Sequence, residues 1–149
     1  MIYYLLAFFS GVASTLQAGV NGKLQAALGT PLLAACISFA VGCVGLGLAY
    51  LAAVHFHWQA IPPSGALSKT EPWMWLGGLL GALFVFSTIV CGPEIGFASL
   101  FNLIISGQIL FSLIVDHYGL LGAPVHALSP ARLGGVALLL VGGYLIQSK

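Results

Sequence analysis

The sequence predicts an all-α integral membrane protein with five transmembrane helices, and three observations carry that prediction. Sixty per cent of the 149 residues are hydrophobic and five per cent are charged, whereas a soluble domain carries roughly 25% charged residues. With a mean hydropathy of +1.08, the chain has too little polar surface to face water, so it belongs in a bilayer. The apolar runs break at turn and capping residues into segments of about 20 residues, the length that crosses a bilayer as a helix. Only helices and closed barrels satisfy the backbone in lipid, and these runs are too long and too unalternating for barrel strands.

The first span covers Ile2 to Leu28 and closes at Gly29, a residue suited to a helix C-terminus. Thr30-Pro31 then opens the second, residues 31–54, with proline at the first helical position. A loop, HFHWQAIPPSGALSKTEP, collects much of the proline and charge of the chain. The third span is expected over residues 73–91, broken by Gly92-Pro93, and the fourth over residues 95–115, ending at Asp116-His117. After a second loop, Ser129-Pro130 reads as a cap followed by a first-position proline, opening a fifth span over residues 130–147. That span is short, so its ends should sit near the membrane interfaces. Trp58, Trp73, Trp75 and Tyr118 fall near span ends, as an aromatic belt requires. The whole chain, 1–149, reads as a single membrane domain.

Composition also excludes functions. The net charge of +1 provides no basic stripe for nucleic acid. Ile2 and Tyr3 follow Met1 with no basic region, so the first segment reads as a retained helix and not a signal peptide. Cys36, Cys43 and Cys91 lie in apolar runs and are expected to be buried small residues. His55 and His57 have no third ligand nearby, and neither metal nor cofactor is expected. No nucleophile–base pair or phosphate loop is apparent, so an enzyme is the least favoured class.

The first span is unusually polar for a membrane helix. At about 100° per residue, Ser10, Ser14, Gln17, Asn21 and Gln25 fall within an arc of roughly 80°. Thr15 and Lys23 lie off that stripe, and Lys23 can snorkel toward the interface. A polar line facing hydrocarbon is costly, so it should face protein or water. It reads either as hydrogen bonding between helices or as the lining of a pathway. In the fourth span Ser99, Asn102 and Ser106 share one face, and Gln108, Ser112 and Asp116 a roughly opposite one. The candidate cavity residues are therefore Ser10, Ser14, Gln17, Asn21, Ser99, Asn102, Ser106 and Gln108. Glu94, Asp116 and His117, near span ends, are candidates for capping, proton relay or gating.

The second, third and fifth spans carry small residues at close-packing spacing. These are Ala35, Ser38, Gly42, Gly45 and Ala49, then Gly77 and Gly81, then Gly135 and Gly142. The last pair is the candidate subunit contact. Five spans put the termini on opposite faces. Lys69 and Arg132 then share one face, and Lys23 and Lys149 the other. Orientation normally follows a Lys/Arg excess in cytoplasmic loops. With none here, insertion in both senses is expected, and two opposed copies would form an inverted-topology pair.

The stretches SGVASTLQAGVNGKLQAALGTPLLAACISF, PWMWLGGLLGAL, GPEIG, and GQILFSLIVDHYGLLG leading to Arg132 cover nearly the whole chain in order. Together they resemble the YdcZ-like family of the drug/metabolite transporter superfamily. The resemblance implies a helical half-transporter that exports a small molecule. Longer members of the superfamily look like two five-helix halves of opposite topology. Gln17 and Asn21 match the family's first-helix motif. Related four-helix multidrug exporters couple transport to protons through a first-helix glutamate, whereas this first span has no acidic residue. The fifth-span glycines are similar to a glycine spacing at a dimer contact in those relatives.

The expectation is an alternating-access exporter of a neutral or weakly charged metabolite or drug-like amphipath. It would work as an antiparallel homodimer in a bacterial-type cytoplasmic (inner) membrane, with the first and fourth spans contributing to a central cavity. Membrane lipid and the substrate are the expected partners. The alternatives are a structural or accessory membrane protein and a passive pore.

Overall fold

The structure, a computed structural model, describes residues 1–147, so Lys149 lies outside the described residues. Among the described residues, five helices are long and apolar enough to cross a membrane. They are α1 (Ile2–Leu28), α2 (Pro31–His55), α3 (Leu76–Ile95), α4 (Phe97–Tyr118) and α5 (Pro130–Gln147). The chain forms two compact units, one of residues 1–92 and one from Pro93 onward.

In the first unit Gly29 adopts the left-handed conformation (φ 73°, ψ 2°) and its N–H closes on the Gln25 carbonyl at 2.8 Å. Thr30 is extended, as a residue before proline prefers, and Pro31 opens α2. The core is small: Ala34 and Ala35 of α2 meet Val85 and Ile89 of α3, with Leu24 of α1 and Phe84 and Phe86 packed against them. The alanines let the backbones approach. Higher up, Phe39 lies over Gly81, where an added Cβ would sit 3.5 Å from the ring.

A 3-10 turn, Pro72–Trp75, leads into α3. This helix continues through Gly92-Pro93, four residues past the expected end at residue 91. Proline in a last turn removes one helical hydrogen bond, and Gly92 has no Cβ to collide with the ring. The break falls instead at Gly96, whose φ of 79° and ψ of 148° only glycine adopts readily. Helix α4 accordingly starts at Phe97 and not at residue 95. It runs to Tyr118, where left-handed Gly119 closes it.

In the second unit α4 and α5 pack antiparallel. Near one end Gly143 of α5 lies against Asn102 of α4, and near the other Arg132 pairs with Asp116. The linker turns through Gly119 and Leu120–Gly122. Ser129 caps α5 as its position predicts, its hydroxyl accepting the Arg132 N–H at 3.2 Å.

The cysteine expectation is corrected: Cys36 and Cys43 are exposed and Cys91 is half-buried. In a bilayer an apolar side chain leaves water by facing lipid, so an apolar run does not imply burial within the chain.

Candidate functional site

The polar stripe of α1 divides into three behaviours. Ser10 and Ser14 donate to the carbonyls of Leu6 and Ser10, at 2.8 and 2.9 Å, and off-stripe Thr15 donates to Gly11 at 3.2 Å. These hydroxyls are satisfied within their own helix, which lets them sit in an apolar setting without a partner. Asn21 is 4% exposed. Its amide donates to the Ser38 hydroxyl of α2 at 3.2 Å. The Gln25 Oε1 is buried with no hydrogen-bond partner.

Gln17 is exposed, one turn from Asn21. It lines a groove of about 550 Å³ together with Ser38, Phe39, Gly42, Cys43 and Gly47 of α2. Small-molecule sites typically span roughly 300–1,000 Å³ with apolar walls and a few placed polar groups. Here Gln17 and Ser38 supply the polar groups. The glycines leave the wall open, since a Cβ at Gly42 or Gly47 meets nothing within 4 Å. Ser38 is shared: it accepts from Asn21 and also faces the groove. Sequence reasoning placed Ser38 and Gly42 in a packing stripe and missed this role. The available signal was a hydroxyl among the small residues, one helical turn before a glycine.

In α4, Ser106 is buried, Ser99 and Asn102 are half-buried, and Gln108 is exposed. Asn102 occupies the space above Gly143, where an added Cβ would overlap its amide. Gly143 is therefore the close-approach glycine between α4 and α5. Sequence reasoning did not single out Gly143; Gly135 and Gly142 were expected at a subunit contact. An added Cβ at Gly135 or Gly142 meets nothing within 4 Å.

The titratable candidates separate. Glu94 lies exposed in the last turn of α3, and not at the start of the fourth span as expected, because that helix continues past Pro93. Asp116 is at the far end of α4, ion-paired to Arg132 at 2.7 Å. His117 accepts the Leu128 N–H at Nδ1 (3.4 Å), and Arg132 also donates to the His126 carbonyl at 3.1 Å. These contacts tie the linker to both helix ends.

A family described as "Putative inner membrane exporter, YdcZ" matches residues 2–145, almost the full length. The chain belongs to this YdcZ family. It is thereby a multi-pass membrane protein of the drug/metabolite transporter type. It is 27% identical over 147 residues to the inner membrane protein YdcZ of Escherichia coli (strain K12), covering 97% of this chain and 95% of that one. No solved structure matches it. YdcZ membership agrees with the resemblance read from the α1 stripe and the GPEIG and GQILFSLIVDHYGLLG stretches.

Proposed function

We propose that this YdcZ-family chain is half of an exporter in a bacterial-type inner membrane, completed by a second, oppositely inserted copy and working by alternating access. The observation that carries the reading is the α1–α2 groove, apolar along its walls and equipped with the Gln17 amide and the Ser38 hydroxyl. Those groups match a neutral or weakly charged amphipath: the walls accept its apolar body, and two hydrogen-bonding groups orient it. The family description as an exporter supports the direction of flow. The absence of an acidic residue from α1 favours passage without a first-helix proton carrier. Gln17, Ser14 and Ser10 on α1, with Ser99, Asn102, Ser106 and Gln108 on α4, are the residues assigned to the pathway, and Gly135 and Gly142 to the subunit contact.

The test has two parts. Cells expressing the chain are challenged with a panel of neutral amphipathic toxicants, beside cells expressing Gln17→Ala at equal membrane abundance. Tolerance that Gln17→Ala loses supports a carrier, whereas unchanged tolerance with a lower melting temperature would leave only the structural reading. For the assembly, a direct tandem fusion forces opposite insertion, because five spans end on the far face. A fusion with one extra spanning helix forces the same sense. Activity restricted to the second fusion would refute the antiparallel pair.

A further inference from the structure

The second unit carries a separate groove of about 290 Å³ between α4 and α5, lined by Ile109, Leu113, Gly135, Val136 and Leu139, with Ser112 and Arg132. Its walls are aliphatic and its charged residue is Arg132. Arg132 spends one N–H on Asp116 and one on the His126 carbonyl. A guanidinium has five N–H donors, so three remain on a side chain that is 35% exposed. The ion pair and the carbonyl contact hold that fork in place, so little rotamer freedom is lost when another acceptor arrives.

Depth matters as much as chemistry. Helix α5 has 18 residues, a length of about 27 Å, close to the roughly 30 Å of the hydrocarbon core. Arg132, in its first turn, therefore sits at headgroup level, with the aliphatic part of the groove leading from it toward the acyl region. The N-terminal end of α5 adds a favourable dipole for an anion.

We infer that this groove is a binding site for an anionic phospholipid, with the phosphate on the free Arg132 donors and the upper part of one acyl chain against Leu113, Val136 and Leu139. The volume is below that of a whole small-molecule site, as suits a ligand whose remainder stays in the bilayer. Asp116 competes with the phosphate for the guanidinium. The site does not require the carrier reading, although its groove includes Gly135, which that reading assigns to the subunit contact.

Native mass spectrometry of the full chain in neutral detergent tests the inference, with phosphatidylglycerol compared against diacylglycerol of the same chains, which lacks the phosphate. Phosphatidylglycerol should be retained at about tenfold lower concentration, the scale of a charge-assisted hydrogen-bond pair. Arg132→Gln should abolish that preference. Arg132→Lys keeps the charge and the pairing with Asp116 without the fork, and should lose most of it. Asp116→Asn should strengthen it, and Ser112→Phe should weaken phosphatidylglycerol retention by filling the groove while the ion pair stays. Equal retention of the two lipids, a preference that survives Arg132→Lys undiminished, or a fall with Asp116→Asn would overturn the site. So would inorganic phosphate displacing phosphatidylglycerol as well as dodecyl phosphate does, which would mean that the free anion is read and not the lipid.

Discussion

At the scale of single residues, two polar groups of the first helix have different work. Asn21 is buried and bonded to Ser38, while Gln17, one turn earlier, faces open space. Interhelical hydrogen bonds in membranes contribute about 0.6–2 kcal/mol. Asn21→Ala and Ser38→Ala should each lower stability by an amount in that range, and the double variant should lose less than the sum. Unfolding in mixed detergent micelles measures the coupling; strict additivity would mean that the bond contributes nothing. Gln17→Ala, lacking that bond, should leave stability nearly unchanged. Both amides fall on one helical face in the sequence, and periodicity alone does not distinguish them. Which one meets a partner depends on where Ser38 of α2 lies.

At the scale of elements, glycines decide where helices end and how closely they pack. Gly96 separates α3 from α4 in a conformation costly to other residues. Gly96→Ala is expected to destabilise the chain by about 1–3 kcal/mol, seen as a lower melting temperature, whereas Pro93→Ala should be tolerated or should stiffen the last turn of α3. In α5, Gly143→Ala should cost about 1–3 kcal/mol through overpacking on Asn102. Asn102→Ser should recover part of that loss by clearing the space. Failure of the rescue in a thermal unfolding series would show that the contact is loose. Helix identity was legible in the sequence, because length and hydropathy suffice for that. The end of α3 was not, because a Gly-Pro pair looks the same whether it stops a helix or sits in its last turn.

At the scale of the whole molecule, the apolar side chains are mostly exposed, as lipid-facing helices allow. The five-span topology expected from the sequence puts two basic residues on each face, so a small change should tip orientation. Two lysines added near Lys69, in the loop between α2 and α3, should bias the population toward the sense that leaves this loop cytoplasmic. Reporter fusions at both termini, read in the same cells, measure the shift. If the unmodified chain already shows a single orientation, the dual-topology proposal falls, and the balance of charges has no consequence for assembly.

The sequence by itself determined the membrane class, the five helices, the caps at Gly29 and Ser129 and the family, because each rests on local composition or on residues adjacent in the chain. Only the tertiary structure decided that Asn21 bonds to Ser38, that Gly143 is the contact glycine, that Gln17 faces a groove and that Arg132 is held by Asp116. Those are pairings between helices. In a chain where nearly every surface is apolar, hydrophobic periodicity distinguishes no buried face from a lipid-facing one, so nothing in a single helix indicates which of its sides will meet another.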